Sequence, residues 1–512
     1  MIPIPMTASS DAACEILDRL VARGVRHVIV SPGSRSQALA LAAAELERQG
    51  RIRLHVRLDE RVAGFTALGI GRESRVPAAV ICTSGSAVAN LLPAALEAHH
   101  AGVPMILLTA DRPPELRGVG ANQTTHQVGL FGEAAPFSVD APVPDGAAHG
   151  YGELADRAFE AARGGSVAHL NLPFREPLAG ELPEWFVAGG SAPIASDPVA
   201  PRAHALGRGP RTVVVAGADA GPRAAHLAER GGWPLLAEIV SGSRHGATVV
   251  RGYRAGLADP NLGGRIERVV VVGHPTLGRE ITRLLRRDDV EIIAIQASDE
   301  ALNLNGSTLA VRDVDVETGI PMDSEWLALW RDLPAPAGVD PERAALVDAV
   351  WRATGEGDRI VFGSSRLVRV ADDVLWGRAH VHANRGLAGI DGTLATAMGV
   401  QLAADDGVTR VIVGDLAFLY DAGALLRSGS EERPAVQIVV GNDGGGTIFD
   451  GLEVAQVASR EAMDRVQLTP QHADIAGLAG AYGWEYVRAD TAAELDAALR
   501  GGACVVEVRL GR

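Results

Sequence analysis

Two short segments of this 512-residue chain bring a carboxylate and an amide to the ends of apolar runs. Asp415 lies in GDLAFLYD (414–421), directly after a β-branched run, and Asn442 lies in VVGNDGGGTIF (439–449). Ligands in open α/β sheets bind where strands end. The separation of the two residues allows one strand–helix–strand crossover, so they can meet at neighbouring strand tips. A carboxylate, an amide oxygen and a backbone carbonyl suit a hard cation such as Mg²⁺, which keeps a water and takes phosphate oxygens. Gly444, Gly445 and Gly446 would let the backbone approach a diphosphate closely. Gly-Asp or Asn-Asp-Gly alone is an ordinary turn. Their pairing at this spacing is what points to a cation and a diphosphate.

That pairing resembles the thiamine-diphosphate signature, Gly-Asp followed by Asn one crossover later. Thiamine chemistry also needs a carboxylate beside N1′ of the aminopyrimidine, where hydrogen bonding promotes the imino tautomer that removes the C2 proton. Glu60 in RLDERVAGFTALGIGR is the candidate, placed where a strand ending near Arg57 meets a helix. A carboxylate there could simply answer the helix dipole. The small-residue helix 63–71, the strand PAAVICTS and the turn Ser84-Gly85-Ser86 that follow it favour the chemical role.

Arginines stand at two further strand tips. SPGSRS (31–36) places Ser34 and Arg35 at a helix start, and TADRPPELRGVGANQ offers Arg112, Arg117, Asn122 and Gln123. Pro113 and Pro114 prevent helix continuation and hold an irregular loop. A loop arginine is ordinarily solvated. Several at strand tips in a chain of net charge −15 indicate a local anion site, where guanidinium forks bind carboxylates.

With these residues in place, the chain resembles the 2-succinyl-5-enolpyruvyl-6-hydroxy-3-cyclohexene-1-carboxylate synthases, thiamine-diphosphate enzymes of menaquinone biosynthesis. The likeness runs over essentially the whole chain through SPGSRS, LDERVAGFTALGIGR, TSGSAVANLLPA, ADRPPELR, GANQ, NRGLAGIDGTLATAMGVQ and GDLAFLYD. Acetolactate synthases and pyruvate decarboxylases share the glutamate and the metal signature, but not SPGSRS, DRPPELR and NRGxxGIDG together. Carried over residue by residue, the resemblance makes Glu60 the cofactor-activating carboxylate. It makes Asp415, Asn442 and the Gly444 carbonyl the ligands of Mg²⁺ or Mn²⁺. Ser86, Gly414 and Leu416 become further cofactor contacts, Ile390 the apolar prop of the bent cofactor, and Ile448, Phe449 and Leu452 the wall near the thiazolium. Ser34, Arg35, Arg112, Asn122, Gln123, Ser365, Arg369 and Arg385 become the set that handles substrate carboxylates, with Gln123 also catalytic. Two departures stand out: the loop after Asn442 runs one residue longer than the family pattern, and Arg279, in the place of a basic substrate contact, is followed by acidic Glu280.

The implied reaction is decarboxylation of 2-oxoglutarate and conjugate addition of the succinyl carbanion to isochorismate. Both substrates are di-acids, which several arginines would serve. The family also implies a homo-oligomer, dimer or tetramer, with active sites at the subunit interface. Competing readings are another thiamine-dependent 2-oxoacid decarboxylase or carboligase, and a degenerate member that binds without catalysis. A nicotinamide dehydrogenase would rest only on VVVAGADAG (213–221) with Glu238. Its glycine spacing does not fit G-x-G-x-x-G, and we read the loop as structural.

The elements expected to position these residues are those of an α/β protein with three doubly wound parallel-sheet domains of the thiamine-diphosphate-binding fold. The expected boundaries are 1–185 (pyrimidine-binding), 207–333 (central) and 343–512 (diphosphate- and metal-binding), with linkers at 186–210 and 334–341. β-Branched runs at 25–30, 52–56, 77–82, 104–109, 359–362, 409–413, 436–440 and 504–508 read as buried strands between Ala-rich helices. All 48 basic residues are arginine, which excludes Schiff-base, pyridoxal and Walker-loop chemistry because each needs a lysine amine. The acidic balance argues against nucleic acid. Three dispersed cysteines form neither a disulfide framework nor a metal cluster, and imply a reducing, cytoplasmic compartment. No apolar run is long enough to span a membrane, and MIPIPMTASS lacks the pattern of a signal peptide.

Overall fold

The computed structural model describes residues 6–147, 149–194, 203–296, 302–317, 319–331, 333–334, 336–377 and 379–512. Residues 1–5, read above for a signal peptide, and parts of both expected linkers (195–202 and 335) lie outside the described residues. The chain packs as two compact units.

The first unit comprises Met1–Pro198, Leu394–Asp405 and Gly423–Pro434. Its parallel sheet contains β1 (His27–Val30), β2 (Arg53–Val56), β3 (Ala78–Cys82), β4 (Met105–Asp111), β5 (Phe137–Asp140) and β6 (Val167–Pro173), in the order β2-β1-β3-β4-β6-β5. β3, β4 and β6 are buried along their whole length, as strands covered on both faces must be. The helices Ala8–Arg23, Gln37–Arg48 and Tyr151–Ala162 supply Leu17, Leu39 and Phe159 to one core. Helix Glu60–Ser74 packs with β3 and with helix Leu92–Ala101. From β1 the chain crosses to β2 on one side, and β3 lies on the other. Their following loops therefore part, which is how an open sheet makes a ligand crevice.

The second unit comprises Val199–Thr393, Asp406–Ala422 and Ala435–Arg512. A two-stranded ribbon pairs β7 (His204–Gly207) with β13 (Val314–Glu317). The central sheet holds β8 (Thr212–Ala216), β9 (Leu235–Ala237), β10 (Arg268–Val272), β11 (Glu291–Ile295) and β12 (Leu309–Val311), ordered β12-β11-β10-β8-β9. The last sheet holds β14 (Arg359–Phe362), β15 (His380–Ala383), β16 (Thr409–Gly414), β17 (Val436–Asn442), β18 (Glu485–Arg488) and β19 (Cys504–Arg509), ordered β15-β14-β16-β17-β19-β18. Counted from its own first strand, that order repeats the order of the first unit's sheet.

Two expectations need correction. The stretch read as a linker at 186–210 carries the end of a short helix, Glu184–Val187, and all of β7. Both are ordered by long-range partners that local composition does not reveal. β4 and β17 also run two residues past their expected ends, and Asn442 stays in the ladder opposite Arg509, so the strand anchors it.

Within the second unit the central and last sheets share buried contacts. Fully buried Asp372 accepts from Ile239 N (2.6 Å), Arg244 Nη2 (2.9 Å), Arg254 Nη2 (2.5 Å) and Tyr253 Oη (2.8 Å). Four donors on one buried carboxylate fix the two sheets against each other. Among the described residues, no helix is long and apolar enough to cross a membrane.

Candidate active site

The last sheet reverses direction between β14 and β16, so the loops at Gly363–Ser365 and Gly414–Asp415 flank a crevice. Gly414 and Gly441 are register partners, which brings Asp415 and Asn442 to the same end of adjacent strands, as their spacing predicts. Asp415 opens helix Asp415–Tyr420 and is only 4% exposed. Its carboxyl is pushed up to about 6, first by burial and then by the charge of Asp443, against the N–H groups of Leu416 and Gly445. Asn442 donates Nδ2–H to Glu507 Oε1 (2.8 Å) and accepts at Oδ1 from Gly444 N (3.1 Å). Gly444 and Gly445 have φ of 74° and 138°, a region that favours glycine. A Cβ on Gly445 would stand 2.3 Å from the Leu468 carbonyl oxygen. A buried acid raised by a neighbouring acid, an amide oxygen and a left-handed glycine loop fit a divalent cation with a diphosphate.

Around this corner Leu416, Ile448, Phe449 and Leu452 are half-buried, and Ile390 is exposed. Ile448 and Phe449 lie on the tight turn Thr447–Gly451. The Phe449 ring lies against Gly446, where a Cβ would meet it at 3.0 Å.

A second corner of the same unit gathers arginines. Ser365 directly precedes helix Arg366–Val374 without a side-chain capping bond, and Arg369 donates back to the Ser365 carbonyl at 2.8 Å. Arg385 grips Thr276, with Nε to Oγ1 at 3.0 Å and Nη2 to the carbonyl at 2.8 Å. Arg279 is largely exposed and pairs with Glu453 at 3.0 Å. Burial, then the charges of Arg385, Arg254 and Arg279, hold the Arg369 guanidinium below its usual range. The sequence-predicted Arg369, Arg385 and Arg279 thus lie close enough for their charges to interact, with Glu238 partly offsetting them, an arrangement suited to carboxylates. Glu280 instead lines a groove with Arg283 and Arg287.

In the first unit, Glu60 opens helix Glu60–Ser74 behind the cap Asp59, which accepts from Arg61 N at 2.8 Å. Glu60 is half-buried, receives Asn90 Nδ2 at 3.4 Å, and adds to burial in pushing up the Cys82 thiol. At the switch point between β1 and β3, Gly33 lets the SPGSRS loop meet Thr83, where a Cβ would clash at 2.3 Å. Arg35 is buried and donates to the Phe174 carbonyl at 3.0 Å. Burial, then the charge of Arg112, lowers its guanidinium. Arg112 donates to Ser84 Oγ (3.0 Å), and Gln123, at φ 54°, donates to the Ser84 carbonyl (3.0 Å). Ser34, Ser86 and Asn122 are exposed. Arg117 departs from the arginine set: it pairs with Asp111 at 2.9 Å and Asp140 at 2.7 Å, bracing the loop.

Sequence reasoning missed three supporting groups: Glu507 behind Asn442, Arg343 behind Asp443, and Glu238 behind the loop that Arg385 grips. The first two carry no motif. Glu238 stands beside a glycine loop that the sequence marks only as structural; it accepts from Leu277 N (2.7 Å), Thr276 N (3.2 Å) and Gly278 N (3.3 Å).

Comparison with known proteins bears on this geometry. Residues 11–130 match the thiamine pyrophosphate enzyme N-terminal TPP binding domain, and residues 371–508 match the C-terminal TPP binding domain. Three similar proteins each bear the name 2-succinyl-5-enolpyruvyl-6-hydroxy-3-cyclohexene-1-carboxylate synthase. The one from Leifsonia xyli subsp. xyli (strain CTCB07) is 48% identical, over 100% of this chain and 98% of its own. Those from Clavibacter michiganensis subsp. michiganensis (strain NCPPB 382) and Nocardioides sp. (strain ATCC BAA-499 / JS614) are 46% and 43% identical, covering 98% and 99% of this chain and 96% and 95% of their own.

Proposed function

The chain belongs to the 2-succinyl-5-enolpyruvyl-6-hydroxy-3-cyclohexene-1-carboxylate synthase family of thiamine pyrophosphate enzymes, and from that premise we propose that it removes CO₂ from 2-oxoglutarate and adds the succinyl unit to isochorismate. It is a thiamine-diphosphate-dependent transferase of menaquinone biosynthesis. When bound, the cofactor supplies the carbon nucleophile and electron sink. Glu60 holds the hydrogen bond to the aminopyrimidine that readies it for proton removal. Asp415, Asn442 and the Gly444 carbonyl hold Mg²⁺ or Mn²⁺, and Ser86, Gly414, Leu416, Ile390 and Ile448 seat the cofactor. Ser34, Arg35, Arg112, Asn122, Gln123, Ser365, Arg369, Arg385 and Arg279 bind substrate carboxylates and orient the acceptor. Gln123 holds a polar group of the reacting substrate. Phe449 and Leu452 keep water from the reacting carbon.

The observation that carries the substrate class is the placing of Arg369 near Arg385, its guanidinium lowered first by burial and then by the charges of Arg385, Arg254 and Arg279: a bound di-acid would supply the missing counter-charge. We read the chain as three domains (1–185, 207–333, 343–512) in a homo-oligomer with active sites at the subunit interface. Three buried free cysteines support a cytoplasmic setting.

The test incubates the protein with thiamine diphosphate, Mg²⁺ and 2-oxoglutarate, with and without isochorismate, and follows CO₂ and the adduct. Turnover of pyruvate without turnover of 2-oxoglutarate would overturn the substrate assignment. Unchanged thiamine-dependent CO₂ release in E60Q would remove the role given to Glu60.

A further inference from the structure

We infer that Glu507 is a positioning residue that sets which end of the Asn442 amide faces the metal loop. The inference rests on the proposed metal site. The two ends of an asparagine amide are nearly equal in size, so packing alone does not choose between them. Turned the wrong way, Asn442 would offer a cation its NH₂ group. Glu507 lies on β19, and its register partner on β17 is Val440. It is 5% exposed. Its carboxylate oxygens accept: Oε1 receives Asn442 Nδ2 at 2.8 Å and Oε2 receives Tyr486 Oη at 2.6 Å. At the other end of the amide, Gly444 N donates to Oδ1 at 3.1 Å. An acceptor on one side and a donor on the other leave a single satisfied orientation, with the oxygen toward the glycine loop.

The rest of the network sustains that arrangement. Arg509 stays 3.8 Å from Glu507 and is largely exposed, so Asn442 and Tyr486 are closer partners than it. Burial and Glu507 push the Tyr486 hydroxyl up to about 12, and it remains a donor at ordinary pH. Donation to a carboxylate also polarises the amide and makes its oxygen a better ligand.

The experiment titrates Mn²⁺ into the full chain with thiamine diphosphate and no substrate, reading free Mn²⁺ by its paramagnetic resonance. E507L, which keeps bulk but offers no acceptor, is expected to bind Mn²⁺ roughly 10–100-fold more weakly. E507Q can still accept from Asn442 and donate to Tyr486, and is expected to recover most of that loss. D415N serves as the reference for a lost ligand. If D415N loses Mn²⁺ while E507L binds like wild type, the role of Glu507 is overturned; if D415N binds like wild type, the metal reading fails and this inference with it. Should E507L not fold by circular dichroism, N442D alone and the exchange N442D/E507Q decide. N442D sets two carboxylates against each other and is expected to lose affinity. The exchange is expected to restore it, because an aspartate accepts at either end; an exchange variant no better than N442D overturns the inference.

Discussion

Asp443 stands between two proposed metal ligands, yet its carboxylate turns to Arg343, whose Nη2 donates to Oδ2 at 2.7 Å. Arg343 is 1% exposed and also donates to Asp340 and to the Gly511 carbonyl. Thr447 Oγ1 adds a further donor to Asp443. The arginine therefore compensates the acid that raises Asp415, and it ties the glycine loop to helix Pro341–Ala353.

Removing that guanidinium leaves a part-buried carboxylate facing Asp415. R343L is expected to lose about 3–5 kcal/mol of stability, the usual cost of breaking a buried pair by one partner. Urea unfolding checks this, and an unchanged midpoint would show the pair to be dispensable. Saturating Mg²⁺ with thiamine diphosphate is expected to recover part of the loss, because ligand binding stabilises the folded state.

Two glycines control the seat of the helix that begins with Glu60. A Cβ on Gly69 would stand 2.1 Å from the Thr396 carbonyl oxygen, and one on Gly399 2.1 Å from the Thr66 carbonyl oxygen. Here backbone meets backbone, which a rotamer change cannot relieve. G69A is expected to cost at least about 1–3 kcal/mol, the range of overpacked cores, and to lower the thermal midpoint. An exposed control, G480A, has open space around the added Cβ within helix Ile475–Ala481 and is expected to leave the midpoint unchanged or slightly raised, because alanine is the better helix former.

The sequence was most legible where chemistry needs particular residue types at strand ends. Asp415 and Asn442 could be placed at adjacent tips because one crossover separates them and apolar runs precede them. Their supports could not: Arg343 lies 100 residues from Asp443, and Glu507 lies 65 from Asn442. The second pair follows from strand order, which sets β19 beside β17; the first joins helix Pro341–Ala353 to the glycine loop, and neither leaves a local pattern. Glu238 shows the opposite case, a motif-like acid whose role is structural. A strand, a glycine loop and a downstream acid look like a nucleotide site, but its carboxylate is occupied by three backbone N–H groups of its own fold. Arg117 was indistinguishable from Arg112 by sequence, because only the folded position of Asp140 tells them apart.

Arg369 offers a direct test of the di-acid assignment. Burial, then the charges of Arg385, Arg254 and Arg279, disfavour its charge, so an incoming carboxylate supplies a counter-charge as well as forming a bond. R369Q loses one charge-assisted hydrogen bond worth about 1.5–3 kcal/mol. The expected result is a KM for the di-acid raised roughly 10–150-fold. The KM of the wild type is also expected to rise with salt, as screening weakens the cluster. A KM insensitive to both would place the substrate elsewhere.

Glu238 links stability to pH through the loop that Arg385 holds. Its carboxyl is fully buried, and burial, then the charge of Asp372, pushes it up to about 7 despite the Leu277 and Thr276 N–H groups and Arg385. An unfolded glutamate titrates near about 4.3. Between these values the folded chain holds a proton that the unfolded chain has released. The contribution of this group is therefore fully present below about pH 4.3 and is lost as pH rises through about 7. E238Q keeps the volume and cannot titrate, so it lacks this slope. Urea unfolding of both proteins at about pH 5 and about pH 8 measures it: wild type is expected to fall relative to E238Q by up to about 3 kcal/mol. A constant difference between the two across that range would show that Glu238 stays in one protonation state, and that the three backbone N–H groups outweigh its burial.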